Sequence, residues 1–313
     1  MLGKTAGGLF WMFRYLERSE NTARLLDAGF RIALTRSSAA ESEWASVVAT
    51  AGVSGAYKEK FDQYRAPYVI DFLLRDKANP SSVLSVIEAA RNNARLVRTA
   101  LTREVWEATN DCWIALKEIL ANPVSERDLP DVLTAIRRES TLVRGALHGT
   151  MLRNDIFDFA MLGTLIERAD STARILDVKY YVLLPSASFV GSSLDNVQWE
   201  SILRSVSAQR AFRWLNPGDV NPMSIAEFLI LDRRLPRSLT FCYATIVANL
   251  GYLEEEYGLR LPCHDKAAPV LARFKESSIA EIFDYGLHEF LTVFIRDNME
   301  LAAQIEQDYR FSG

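Results

Sequence analysis

Apolar positions recur at three- and four-residue steps along almost the whole chain, the spacing that lines one face of an α-helix. Between Leu9 and Leu34 there is no proline, Gly29 is the one weak breaker, and Met12, Leu16, Ala23, Leu26, Phe30 and Ala33 form a single stripe. Ser38 with Glu41 has the spacing of a capping box for a second helix through Trp44 and Val48. Gly52, Gly55 and Pro67 mark residues 52–67 as a connection, and a short helix from Tyr68 to Leu74 stops before Asn79-Pro80. Ser81 is placed to cap a stretch from Val83 to about Leu120, bent near Thr102. Ser125 with Asp128 opens a helix to about Leu152, and another runs from about Ile156 to Leu184, before Pro185. Residues 185–195 suggest a flexible surface segment, and helices are expected over 196–214, 223–232 and 236–256. Gly258, Pro262 and Pro269 make 258–269 a loop, and Ser278 with Glu281 is a third capping box, opening a helix to about Tyr309. With no alternating strand pattern, the pattern predicts an all-α helical bundle.

The polar positions carry an internal repeat. Glu17–Asp27 (ERSENTARLLD) aligns with Glu167–Asp177 (ERADSTARILD), identical at seven of eleven positions at an offset of 150. Trp44 aligns with Trp199 at offset 155, Asp71–Asp76 with Glu227–Asp232 at offset 156, and Pro80-Ser81 falls near Pro236-Arg237-Ser238. The order of elements is kept while the offset drifts by loop insertion, as in a tandem duplication. One domain over 1–313 is therefore expected, built from repeats of approximately 1–150 and 151–313 around a pseudo-twofold axis. Glu17, Glu20, Arg24 and Asp27 share one helix face, as do Glu167, Asp170, Arg174 and Asp177. Glu20 to Arg24 and Asp170 to Arg174 are acid-to-base pairs at the favourable i,i+4 order. Because both copies keep Glu and Arg while Ser19 and Asn21 differ, a partly buried Glu–Arg network at the seam between repeats is expected rather than a solvated stripe.

Composition narrows the class. Of 313 residues 49% are hydrophobic and 24% charged, the net charge is -4, and glycine and proline number 15 and 10. These values fit a folded helical chain, not a disordered one, and give no basic field for nucleic acid. Cys112, Cys242 and Cys263 are an odd set without metal or redox spacing, no leader precedes the first helix, and no long apolar run could span a membrane, so a cytoplasmic protein is expected.

The start Met1-Leu2 with Trp11-Met12 and Arg14–Arg24, the run Arg103–Glu107, Phe159 with Glu167–Asp170, and Phe228-Leu229 with Asp232 and Pro236-Arg237-Ser238 together resemble the alpha-E domain family of bacteria. The likeness spans the chain; Lys4 stands where that family has arginine. The resemblance implies an all-helical fold encoded beside, or fused to, a circularly permuted ATP-grasp ligase and a transglutaminase-like peptidase, and hence a peptide- or amide-ligation pathway.

Other chemistries fit poorly. A di-metal carboxylate bundle needs Glu-x-x-His, and none of His148, His264 and His288 has a glutamate three residues before it. A hard cation on Glu17, Glu20, Glu167 and Asp170 is opposed by Arg18, Arg24, Arg168 and Arg174, and no cofactor is expected. Asp155 and Asp158 form a lone pair rather than a DDxxD run, and no glycine-rich phosphate loop is present. Cys263-His264-Asp265 reads as loop, because triads converge in space and not in sequence. Arg103, Glu104, Trp106, Glu107 and Asn110 form a second polar cluster, either an exposed bend or part of the seam cavity, and the tryptophans are expected in the core or seam. Three functions remain. An accessory protein would bind the ligase or its product through Arg18, Glu20, Arg24, Arg103, Glu107, Arg168, Asp170 and Arg174. An amide- or peptide-modifying enzyme would use Glu17 or Glu167 as acid–base. A scaffold would bind nothing.

Overall fold

The computed structural model describes residues 1–35, 40–181, 193–217 and 220–311. The described residues form fifteen α-helices and no strand. The longest are α1 (Gly3–Thr35) and α8 (Asp155–Tyr181), and they pack on one another. Their contacts advance together, from the Met1 amino group beside Asp155 to Arg18 on Glu167, so the two helices run parallel. Gly163 sets their closest approach: a Cβ there would lie 2.1 Å from the Phe10 carbonyl oxygen.

Each central helix has its own flank. Helices α5 (Val83–Leu96) and α7 (Leu129–Thr150) lie on α1, with α6 (Arg103–Ile119) packed on both. Helices α12 (Leu239–Tyr257) and α15 (Leu287–Asp308) lie on α8, with α13 (Pro262–Glu276) packed on both. Helices α2 (Ala40–Thr50) and α9 (Ser193–Ser205) each touch both α1 and α8. Short helices α3 (Ser54–Lys58), α4 (Ala66–Leu74), α10 (Gln209–Leu215), α11 (Pro222–Ile230) and α14 (Ile279–Tyr285) complete the order. The core is continuous, and from α1 it takes Met12, Leu16, Ala23 and Leu26 of the stripe, with Phe30 and Ala33 partly buried against it. Because α1 is covered on several faces, most of its polar residues between Arg14 and Asp27 are buried too.

Several boundaries differ from the expected ones, each for a local reason. The stretch from 83 to 120 is two helices: Leu101 is extended and Thr102 caps α6 through the Val105 amide. The cap of α5 is Ser82, not Ser81. Residues 258–269 are not all loop: α13 starts at Pro262, whose missing N–H costs nothing in the first turn, and Pro269 lies inside it. The last stretch divides at Gly286, where φ is 110°, open to glycine but not to a residue with Cβ. The expected helix over 196–214 breaks after Ser205, and Ser207 holds φ 58° before α10. The Ser278–Glu281 box forms as expected, whereas the Ser38 cap and most of the 185–195 segment lie outside the described residues.

Gly163→Ala should lose about 2–3 kcal/mol in urea unfolding, because the neighbour it meets is backbone and cannot swing aside. Gly145→Ala on α7, where nothing lies within 4 Å, is the control and should be neutral or slightly stabilising.

Candidate functional site

The ER motifs face each other across the α1–α8 contact and exchange partners. Arg168 donates to both oxygens of Glu17 at 3.0 and 2.9 Å. Arg18 donates to both oxygens of Glu167 at 2.6 and 2.9 Å. Each glutamate is thus gripped by the arginine that follows the other glutamate in sequence. Further arginines close the network. Arg14 bonds Glu167 at 2.9 Å while its guanidinium lies 4.8 Å from the Trp11 ring centre. Arg144 from α7 reaches Glu17 at 3.1 Å and also bonds Glu20. Arg24 bonds Glu20 at 2.9 and 2.6 Å and turns its other nitrogen to the Ser205 carbonyl at 2.7 Å. Arg237, just before α12, reaches Glu20 at 2.6 Å, Glu17 at 3.1 Å and Asn21 at 3.1 Å.

Glu17, Glu20 and Glu167 are 1%, 0% and 6% exposed. Burial alone would push their carboxyls up, but the arginines win. Arg168, Arg237 and Arg144 hold Glu17 well below the usual carboxylate range, and Arg18 with Arg14 holds Glu167 down at about 2. Burial raises Glu20 and so does Glu17, and Arg237, Arg144 and Arg24 bring it below its ordinary value. Burial, with Arg24 and Arg168 nearby, lowers Arg237 to about 10. Charge-assisted, forked bonds are the strong class, and they offset the desolvation of these ions. Groups so saturated and so acidic are poor general bases at neutral pH.

Two cavities border the network. The first, about 230 Å³, is lined by Arg18, Glu167, Asp170, Arg174, Thr50 and Ser81 among others. Asp170 there is paired with Arg174 at 2.7 Å. Thr50 is 4% exposed, and its hydroxyl has no hydrogen-bond partner among the described residues. The second, about 950 Å³, runs between α8 and α12, with Arg168 and Pro236 at one end and Asp158, Glu255 and Glu256 at the other. Asp158 is 5% exposed, and burial, with Glu256 and Asp155 nearby, raises it to about 7.

Of the residues expected at the site, Glu17, Arg18, Glu20, Arg24, Glu167 and Arg168 join one network, and Asp170 and Arg174 pair at its edge. Arg103 and Glu107 do not join it: at the exposed start of α6 they pair with each other at 2.7 Å. Asp27 pairs with Arg31, and Asp177 bonds His288. Trp44 and Trp199 are buried as expected, but Trp214 is exposed. Cys263 and His264 sit in the first turn of α13, with Sγ 3.6 Å from Nδ1. Burial raises that thiol, and the His264 ring is spent on the Leu261 amide and Leu250 carbonyl, so no thiolate forms at neutral pH. Arg14, Arg144 and Arg237 were not singled out by the sequence. Arg237 lies inside an aligned segment, Arg14 inside the family-like start, and Arg144 carries no local signal.

Among the described residues no group of three or more His, Cys, Asp or Glu has the arrangement of a metal site, and no helix is long and apolar enough to cross a membrane. The site defines an all-helical protein organised on paired Glu-Arg motifs. The chain belongs to the Alpha-E family, described as a predicted alpha-helical domain with a conserved ER motif, whose model matches residues 1–309. It is similar to an uncharacterized protein of Mycobacterium bovis and to one of Mycobacterium tuberculosis, each 24% identical over 272 residues, or 81% of this chain. The chain spans only 30% of the length of those relatives. No solved structure matches it.

Glu17→Gln and Glu167→Gln should each cost about 3–5 kcal/mol, measured by denaturant titration, because each strands buried guanidinium charge. Arg103→Ala at the exposed pair should leave the unfolding midpoint unchanged. The lowered glutamates contribute stability above their unfolded value of 4.5, and it is lost as pH falls toward 2. Asp158 has the opposite sign: with its folded pKa near 7 and its ordinary value 3.8, its contribution is lost as pH rises through 7. Asp158→Asn should therefore raise stability by about 1–2 kcal/mol at pH 8, where the buried charge is removed, and much less at pH 5.

Proposed function

We propose that the chain is an accessory helical protein of an ATP-grasp-linked peptide- or amide-bond-forming pathway, engaging a circularly permuted ATP-grasp ligase, a transglutaminase-like protein, or the ligase product through its Glu/Arg-lined seam. The supporting observation is the division of labour at that seam. The glutamates are locked by arginines and serve as a clamp, while Arg18, Asp170, Arg174 and Ser81 line a cavity beside it. The longer mycobacterial relatives leave room for a fused catalytic domain.

The same reading takes the chain as a tandem duplication about a pseudo-twofold axis. It is supported by the exchanged pairs Glu17–Arg168 and Glu167–Arg18 and by the matching flanks of α1 and α8. The competing reading, with Glu17 or Glu167 as acid–base, has their low pKa and the forked arginine bonds on both carboxylates against it.

Purified alone, the chain should turn over no peptide or amino acid in the presence of ATP, and it should co-purify with a circularly permuted ATP-grasp ligase. Turnover by the isolated chain that disappears in Glu17→Gln, with the fold intact by circular dichroism, would establish the enzyme reading instead. Failure to bind either partner, with no melting shift from a peptide and metabolite panel, would leave a scaffold.

A further inference from the structure

The two ER faces are not furnished alike. On the first, Arg237 lies across Glu17, Glu20 and Asn21. At the offset of 150 the corresponding residues on the second face are Glu167, Asp170 and Ser171, and all three line the 230 Å³ cavity. At the offset of 156, which brings Pro80 onto Pro236, Arg237 corresponds to Ser81. Ser82 and Ser238 confirm that register, since each caps the helix that follows. Ser81 also lines the cavity.

The rest of the wall corresponds as well. At offset 155, Thr50 and Gly52 fall on Ser205 and Ser207, and Gly52 and Ser207 both hold positive φ, 73° and 58°. Arg24 reaches Ser205 and Ser207 on the first face, and Arg174 lies against Gly52 on the second. The cavity is thus the counterpart of the space that the Arg237 side chain fills, with serine in place of arginine. Where Glu20 receives Arg24, Arg144 and Arg237, Asp170 receives Arg174 alone among the described residues.

We infer that this cavity binds a guanidinium group, seated between Asp170 and Glu167 as Arg237 is seated between Glu20 and Glu17. The inference rests on the duplication proposed above. Two features suit that group. Asp170 accepts from Arg174 alone among the described residues, one bond on each oxygen, and Glu167 Oε1 accepts from Arg18, so both carboxylates keep acceptor capacity for a planar fork, which delivers several N–H bonds in fixed directions. The volume, about 230 Å³, is below the roughly 300–1,000 Å³ of sites for drug-sized ligands and matches a single head group. The opposite occupant, a carboxylate, would meet only the Nη1 side of Arg18 and Arg174 and no forked edge, because their Nε–Nη2 edges face Glu167 and Asp170.

The test uses the full chain, thermal melting and titration calorimetry, with agmatine, the tripeptide Gly-Arg-Gly, butylamine and acetate as probes. Agmatine or Gly-Arg-Gly should raise the melting temperature of the wild type. Binding should weaken at least tenfold in Asp170→Asn and disappear in Ser81→Arg, whose own side chain fills the space. Agmatine alone binding would identify a free small molecule as the source, and Gly-Arg-Gly a peptide side chain. The inference is overturned if neither guanidinium probe binds, if butylamine binds as tightly as agmatine, if acetate binds in their place, or if Ser81→Arg binds like the wild type. The melting temperature of unliganded Ser81→Arg separates the two readings. A stabilised Ser81→Arg whose wild-type parent binds no probe leaves the duplication standing and removes only the ligand. A destabilised Ser81→Arg removes the correspondence itself.

Discussion

The exchanged Glu–Arg pairs are the interaction on which the rest of the structure depends. Two long helices lie in parallel contact, and the face each turns to the other carries buried carboxylates. A buried carboxylate without a cation would cost several kcal/mol. Each helix therefore has to be supplied with charge by its neighbour, and Arg168 and Arg18 supply it. An ionic seam of this kind is a weak source of net stability but a strong source of register. Sliding α1 by one residue along α8 would separate both pairs at once, whereas apolar contacts could repack. The close approach at Gly163 fixes the same register sterically.

Much of this was legible because the ER motif is written twice. Periodicity gave the helices, the repeat gave the seam, and the retained Glu and Arg marked which polar positions are buried. The i,i+4 pairs Glu20–Arg24 and Asp170–Arg174 follow from spacing on one helix and form as expected. What spacing cannot encode is the third dimension. Arg144 stands 127 residues from Glu17 and meets it only because α7 packs on α1. Arg103 and Glu107 look like the other pairs in sequence, yet α6 lies outside α5 and α7, so their charges end in solvent. Breaks were hard for a related reason. Thr102 and Gly286 interrupt continuous apolar periodicity by backbone conformation, which hydrophobic spacing does not register.

The arginine count bears on function. Among the described residues, six arginines surround Glu17, Glu20 and Glu167, more cation than the carboxylates need. The excess holds all three glutamates ionised and removes them from proton transfer near neutrality. Chemistry that requires a poised acid or base therefore belongs elsewhere, and the seam is suited to holding groups in place. Asp158, lifted to about 7 at the far end of the α8–α12 cleft, has the property the seam glutamates lack.

In the duplication proposed above the two seams start equal, and divergence between them is informative because the surroundings act as an internal control. Side chains that differ on a solvated surface carry little meaning. Ser81 and Arg237 differ at the edge of a buried ion network, where adding or withholding one guanidinium changes both charge and volume. On the Glu17 face the position is filled and the network is closed. On the Glu167 face it is not, and Asp170, Arg174 and Ser81 border an open cavity. Stability alone would favour filling both positions with packed side chains. A polar cavity kept beside this ion network supports the reading proposed above, a clamp on one face and a receptor on the other.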